Sequence, residues 1–498
     1  MIVPRLVFAA KSKSTVTSEE ALQATEEVSQ TIQEVGMKLW DISEISLQEV
    51  ESSKYLKNIL KKNEFKLTSE GTSHVPTAFI AEYGTGAPVL GIMLEYDALP
   101  GLGNEAVPYK QPRKDHITSG HGCGHNLIGA GALGAALALK NLMKEKEISG
   151  TLRVYGGAAE ETEGAKVYMA RDRLFDDVDT MLHWHPLNVA GVANIRSAAL
   201  SQMYIEFSGK AAHAGLNPWD GRNALAAVEI FLHSVNMMRE HIRPTARIHY
   251  IIKNGGEAPN IVPDKASVLL TCRDENREYV EKSVVWLKSM AEGAALATQT
   301  EALAVDYYGV HDLLPNTPLA ERMQHHLEKI GVPQYTKQEI KFAKRLQKEA
   351  GLEETGMTKD IMFLPNEQTL GGGTDVGDVS WQTPTMGLIM PASPEGIGVH
   401  TWMATASHGS SIGTKAAIAS AKVLTLMGID LLLDNKLLKQ VKDDFLKRTK
   451  GFVYQSPINP AIKEPVSLPK SMRSYESALE LKNSFYKQAG DDQFMPTE

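Results

Sequence analysis

The twelve residues Val89-Leu90-Gly91-Ile92-Met93-Leu94-Glu95-Tyr96-Asp97-Ala98-Leu99-Pro100 run from apolar to acidic and close on a proline. An unalternating apolar run, with a turn at Gly84 to Pro88 before it, predicts a strand buried on both faces. Just before it, Thr77 to Ala81 reads as a short extended run. Val28, Ile32, Val35 and Leu39, then Tyr55, Leu56, Ile59 and Leu60, recur at helical spacing. Leu127 to Leu142 is rich in Ala and Leu with little polarity, which predicts a helix buried over most of its surface. Thr151 to Gly156 and Thr180 to Leu182 read as further strands. Strand, helix and strand in succession predict an α/β fold, a mainly parallel sheet covered on both faces. Each polar cluster falls just after an apolar strand, where open sheets of this kind place their sites.

The densest of those clusters is His121-Gly122-Cys123-Gly124-His125-Asn126, followed about 35 residues later by Ala159-Glu160-Glu161. Glycines between the polar residues let neighbouring side chains converge. A thiolate and imidazoles suit zinc-like ions, and carboxylates extend the site towards manganese. Cys-Gly-His standing alone reads as a buried cysteine among ordinary histidines, and Glu-Glu alone as an acidic helix start. Together with His183-Trp184-His185 they predict a divalent-metal site with carboxylates beside it to move protons.

The texture changes near Ser197. Met203 to Phe207, Arg247 to Ile252 and Ala266 to Cys272 read as strands, with an amphipathic helix at Gly221 to Arg239 between them. The α/β pattern resumes near Pro318, with a helix at Leu319 to Ile330, a strand at Thr385 to Met390 and a helix at Ser411 to Met427. Thr336 to Leu370, polar and without apolar periodicity, reads as a long surface insertion. The chain thus divides into a catalytic α/β domain at 15–197 and 311–451, an inserted α+β domain at 198–310, and a tail at 452–498. That tail carries Pro457, Pro460, Pro465 and Pro469 and reads as surface-lying or disordered.

Composition excludes several classes. A chain of 498 residues exceeds one core, and 43% hydrophobic with 22% charged residues describes an ordinary globular protein. A net charge of −8 and a pI near 6.0 argue against a nucleic-acid or anionic-membrane surface. No uninterrupted apolar stretch is read as a membrane span. Cys123 and Cys272 are the only cysteines, so a reducing compartment, the cytoplasm, is expected. Met1 to Ala10 is apolar but holds Pro4 and Arg5 without a basic leader, and reads as an ordinary terminus, with the remnant of an export signal as the alternative.

Asp97-Ala98-Leu99-Pro100, the Cys123 to Asn126 loop, Glu160-Glu161, His185 and His400 resemble the metal-dependent aminoacylase and carboxypeptidase (amidohydrolase) superfamily. Gly209-Lys210-Ala211-Ala212-His213-Ala214 resembles the start of that family's lid domain, and Pro259-Asn260-Ile261-Val262-Pro263 a later lid motif. Phe175 to Asp179, Trp184-His185-Pro186, Thr374 to Ser380 and His400-Thr401-Trp402 carry a closer match to one subgroup. The resemblance spans roughly residues 30 to 460.

It implies hydrolysis of an amide in an N-acyl amino acid, an aminobenzoyl-glutamate-like compound or a short peptide. It also implies two divalent ions per subunit, manganese or zinc, held by Cys123, His125, Glu161, His185 and His400, with Cys123 where relatives use a bridging Asp. Glu160 is then the general base, and Asp97 orients a ligating imidazole. Many relatives place a His two residues before that Asp; this chain has Glu95, so position 95 is not expected to be a ligand. His121 is read as a structural residue, with a place facing the metals as the alternative, and His183 and His408 as ordinary polar residues. By the same resemblance, His213 on the lid polarises the scissile carbonyl, Asn260 helps hold the substrate, and the protein is a homodimer, with a homologous second subunit as the alternative.

The Gly371-Gly372-Gly373-Thr374 turn offers backbone N–H groups to a carboxylate, if it is not a plain loop. Glutamate carboxypeptidase relatives carry an Arg just after the lid, where this chain reads Tyr307-Tyr308-Gly309-Val310-His311. Arg273 is the candidate to replace it, against a surface salt bridge. A competing reading is a non-catalytic binding or regulatory subunit; retention of the five ligand candidates with Glu160 favours catalysis.

Overall fold

The computed structural model describes residues 15–192, 194–362 and 369–465. Met1 to Ala10 and the end of the tail lie outside the described residues. In chain order the strands begin with β1 (Lys66–Glu70), β2 (Phe79–Thr85), β3 (Val89–Leu94), β4 (Gly150–Gly156), β5 (Thr180–Leu187), β6 (Ala190–Val192) and the two-residue β7 (Arg196–Ser197). Next come β8 (Ala199–Ser208), β9 (Arg247–Asn254), β10 (Lys265–Asp274) and β11 (Glu301–Val310). The last are β12 (Ile361–Met362), β13 (Thr369–Leu370) and β14 (Thr385–Pro391).

Eight strands form one sheet in the order β1-β2-β4-β3-β5-β14-β6-β12. The apolar run at 89–94 lies at its centre, parallel to β4 on one side and β5 on the other. Strand β14 continues the parallel set beside β5, and antiparallel pairs are confined to the flanks. Leu90 to Leu94 are buried, which is why no alternation shows in the sequence.

The His125–Glu145 and Ser411–Leu433 helices pack against each other and against β3 and β5. Both are long and apolar enough to pass for membrane spans by composition, contrary to the sequence reading. Their apolar surface is instead spent on protein, 94% and 78% of the most apolar window being buried inside the molecule.

The second body is a four-stranded antiparallel sheet, β11-β8-β10-β9, backed by the helices Ala224–Met238 and Arg277–Thr298. Phe207, Val228, Phe231, Val268 and Leu287 form its own core, separate from that of the large sheet. The reading of Thr336 to Leu370 as a long surface insertion without apolar periodicity misses its start, where Lys337–Glu349 is a helix. Thr336 and Glu339 close a capping box, Ala343 packs with Met357 and Ile412, and Leu346 is buried as well. The tail also begins differently: Ile458 and Ile462 are buried in the main core, and Phe452 lies 4.3 Å from Trp381 between ring centroids.

A candidate metal centre

The polar clusters gather at the C-terminal ends of the parallel strands. Asp97 follows β3, Glu160 and Glu161 follow β4, and His185 stands near the end of β5. Cys123 and His125 meet them from the mouth of the His125–Glu145 helix, and His400 precedes the Trp402–His408 helix. Gly124 makes this junction possible. Its φ is +81°, and an added Cβ would stand 2.5 Å from Pro186 Cγ, so a side chain there would part Cys123 and His125 from β5.

Hydrogen bonds fix which ring nitrogens face inward. His125 Nδ1–H donates to Asp97 Oδ1 at 2.8 Å, which leaves the Nε2 lone pair for the cluster. His185 Nδ1–H donates to the Pro186 carbonyl at 2.9 Å, and its Nε2 lies 3.5 Å from Cys123 Sγ. His125 Nε2 is 3.7 Å from Glu161 Oε1 and 4.0 Å from Glu160 Oε2, while His400 Nε2 is 3.4 Å from Glu161 Oε2. The other oxygen of Asp97 accepts from the Ser46 hydroxyl at 2.8 Å and from the Glu161 N–H at 3.0 Å. One buried carboxylate therefore positions both a histidine and a glutamate of the cluster.

These residues fit divalent cations. Donors sharing an ion at metal-ligand bond lengths lie roughly 3–4 Å apart, and the spacings above match. Three donor sets each converge within 4.8 Å: Cys123 with His125 and His185, Cys123 with Glu161 and His400, and His125 with Glu160 and Glu161. Cys123 belongs to two of them, as a donor between two ions would. His125 Nε2 and Glu161 Oε1 are buried without a hydrogen-bond partner among the described residues, the condition a cation relieves. Burial, then the charges of Glu95, Asp375 and Glu161, raise Glu160 well above the ordinary carboxylate range. Burial and then Glu161 push the Cys123 thiol up. Burial opposes a charge on His125, but Asp97 and Cys123 outweigh it and raise the imidazole well above its usual value. Divalent charge reverses this logic, favouring thiolate, carboxylate and neutral imidazole together.

His121 and His408 serve the framework, as expected. His121 Nε2–H donates to the Leu39 carbonyl and its Nδ1 accepts from the Asn126 N–H; His408 lies between the His121 carbonyl and the Ser393 hydroxyl. His183, on the same strand as His185, turns its ring onto Gly387.

Several residues of the site were not read from the sequence. Lys166, fully buried, pairs with Glu95 and Asp375. Glu49 accepts from the Ala159 N–H and the Thr77 hydroxyl, both at 2.8 Å, fixing the backbone just before Glu160. Burial, then the Asp97 charge, raise Glu49 to about 8. The signal for Lys166 was its place in the short apolar helix Ala165–Arg171, where a lysine would otherwise be assumed exposed.

The substrate candidates belong to none of the three donor sets. The Gly372 carbonyl accepts from the Ala198 N–H at 2.8 Å, and Arg273 donates to the Gly371 carbonyl at 3.1 Å, so the glycine turn is tied to the root of the smaller domain. Gly373 lies against Leu200, and Thr374 Oγ1 accepts from the Val376 N–H. His213 and Asn260 are exposed neighbours on the smaller domain, joined through the His213–Ile261 bridge and the Ala214 N–H to Asn260 carbonyl bond. No hydrogen bond or ion pair links either side chain to the donor cluster among the described residues.

Metal-dependent hydrolysis of an amide or peptide bond is the chemistry that this fold and donor set define. The chain belongs to peptidase family M20/M25/M40, which residues 91–406 match. It is 33% identical over 452 residues to the B subunit of p-aminobenzoyl-glutamate hydrolase of Escherichia coli (strain K12), covering 85% of this chain and 94% of that protein. Over 443 residues it is 26% identical to the Xaa-Arg dipeptidase of Homo sapiens, 85% of this chain and 90% of the relative. A solved Bacillus subtilis structure, described as a dinuclear metal-binding peptidase from the M20 family, matches with a TM-score of 0.53 and 18% identity, over 80% of this chain and 98% of that one.

Proposed function

We propose that the protein hydrolyses the amide bond of an N-acyl amino acid, an aminobenzoyl-glutamate-like compound or a short peptide, with Glu160 as general base. The observation that carries this is the convergence of the Cys123, His125, Glu161, His185 and His400 donors with Glu160 beside them. Two divalent ions, manganese or zinc, would supply Lewis acidity to the substrate carbonyl and to water. Asp97 holds His125 in the tautomer that presents Nε2, and holds Glu161 through its backbone. Glu160 takes the proton of the attacking water and passes it to the leaving nitrogen.

The N–H groups of Gly372, Gly373 and Thr374, with Arg273, would receive a free carboxylate of the substrate. His213 Nδ1 accepts from the Gly215 and Leu216 N–H groups, which leaves Nε2–H as a donor for the carbonyl oxygen, with Asn260 next to it. Since His213 is exposed and joins none of the donor sets, it would act after closure of the 198–310 domain as a lid, or from the lid of a partner protomer. A homodimer is supported by β9, an edge strand with Ile251 and Ile252 exposed, and by exposed Ile230 and Met237 on the adjoining helix. A second, homologous subunit is the alternative partner, since the Escherichia coli relative is itself named as one subunit of a hydrolase. Both cysteines are free, which suits a reducing cytoplasm.

The test is a panel of acyl-amino acids, aminobenzoyl-glutamate and dipeptides, assayed with apo protein reloaded with manganese, zinc or cobalt. Glu160→Gln should keep its metal and lose most hydrolysis, about 100-fold or more. A variant with metal bound and near-wild-type turnover would remove Glu160 from the mechanism.

A further inference from the structure

Lys166 has no exposed surface. Its Nζ lies 2.8 Å from Glu95 Oε1 and 2.6 Å from Asp375 Oδ1, and its backbone N–H donates to Asp375 Oδ2 at 3.2 Å. Gly157 leaves room for the ammonium group, since an added Cβ would stand 3.1 Å from Nζ. Two carboxylates against one ammonium leave a negative charge over in a place that water does not reach. Such a triad is costly unless something else shares the surplus.

The surplus faces the donor cluster. With Oε1 of Glu95 taken by Lys166, Oε2 lies 3.6 Å from His125 Nε2. That is as close as Glu161 Oε1 at 3.7 Å and closer than Glu160 Oε2 at 4.0 Å. His125 Nε2 is itself buried and without a hydrogen-bond partner among the described residues. Two oxygen or nitrogen donors on one ion, at bond lengths of about 2.0–2.2 Å, lie roughly 3–4 Å apart. Glu95 Oε2 meets that spacing to His125 Nε2, from a backbone position two residues before Asp97, although it joins none of the three donor sets that converge within 4.8 Å.

We propose that Glu95 is a further donor to the metal centre, one oxygen on the ion held by His125 and the other on Lys166. Lys166 is then a positioning residue: it fixes the Glu95 carboxylate as a one-oxygen donor and neutralises what the cation does not. This rests on the metal-site reading above and departs from the sequence expectation that position 95 is not a ligand. Through Asp375 the same lysine anchors the segment that comes after the glycine turn.

The experiment uses the full-length protein, dialysed free of metal and titrated with cobalt(II) while absorption and bound metal are followed together. Wild type should take up two ions per chain and show a thiolate-to-cobalt band from Cys123. Glu95→Gln keeps volume and an acceptor for Lys166 but weakens donation to the ion. It should bind one ion about tenfold or more weakly and raise the intensity of the cobalt d–d bands, as the coordination number falls, with the thiolate band intact. Glu95→Asp, which keeps the charge but loses one methylene of reach, should behave likewise and serves if the glutamine variant does not fold. Affinities within twofold of wild type and unchanged d–d bands in both variants would overturn the proposal and leave Glu95 as a counter-ion to Lys166. Absence of the thiolate band, or of stoichiometric cobalt, in wild type itself would instead overturn the metal-site reading, and this proposal with it.

Discussion

Replacing Asp97 by Asn leaves the shape of a fully buried side chain intact and removes one acceptor, and its three contacts decide the outcome. Oδ1 receives the His125 Nδ1 proton, while Oδ2 receives the Ser46 hydroxyl and the Glu161 N–H. An amide has one oxygen. Turned to His125, it sets its NH2 group against the Glu161 N–H; Ser46 can rotate and accept, but the backbone donor cannot. An unpaired buried donor costs about 1–3 kcal/mol, enough to displace Glu161. Turned the other way, the NH2 group faces His125, whose ring must then accept at Nδ1 and carry its proton on Nε2, the nitrogen meant for a cation. Either orientation strikes a donor of the cluster. Metal affinity should fall about 10–100-fold, the range for loss of a residue that orients a ligand, or about 1.4–2.8 kcal/mol. Chelator competition on the apo protein measures it, with a thermal melt to show that the fold persists. Asp97→Asn protein binding two ions with wild-type affinity would refute the role given to the carboxylate.

Cys123→Ser should weaken retention of both ions, because a neutral hydroxyl replaces the donor common to two of the three sets; two metals per chain surviving dialysis would exclude the thiol. His213→Ala should slow hydrolysis far more than it changes metal content. If His213 acts across a dimer, mixing it with Glu160→Gln protein should restore part of the activity, and no recovery despite proven subunit exchange would confine it to its own chain. His311 is buried and held down to about 4 by burial, so it is neutral in the folded protein at pH 7. Unfolded, it titrates near about 6.5. Its contribution to stability is therefore present above that pH and lost as pH falls through the window to 4, at up to about 1.4 kcal/mol per unit. Urea unfolding of His311→Gln between pH 7 and 5 should show a shallower loss than wild type; parallel slopes would contradict the assignment.

The sequence was most legible where one property ran unbroken. Val89 to Leu94 and Leu127 to Leu142 could be placed because burial on nearly all sides leaves few polar residues, only Lys140 and Asn141 at the end of the second, to confuse the pattern. Lys337–Glu349 escaped because only Ala343 and Leu346 among its apolar residues are deeply buried, and its clearest signal is the Thr336–Glu339 capping box rather than periodicity. Cys123, His125, the Glu160-Glu161 pair and His183-Trp184-His185 were legible as metal-binding chemistry from residue type, while the assignment of Glu161, His185 and His400 as ligands came from the family resemblance. Lys166 and Glu49 were not, because their roles come from partners distant in sequence: Asp375 for one, Thr77 and the Ala159 N–H for the other. Residue type alone would have put both on the surface. His213 shows the opposite limit, for its motif marks it out while the structure leaves it exposed and outside the donor sets.

The segment from Gly371 to Asp375 is held at both ends by different bodies. Ala198 and Arg273 grip its start at the root of the smaller domain, and Lys166 of the larger one grips its end. By chain order it belongs to the large domain, but by attachment it belongs to neither. The smaller domain is thus not a free module. A chimaera that took residues 199–310 from a relative would keep the Ala198 N–H on Gly372 but lose Arg273, unless the exchanged piece brought a matching donor for the Gly371 carbonyl. In evolution as in engineering, the two segments are expected to change together, and a swap that carries both should preserve the site where a swap of the domain alone would not.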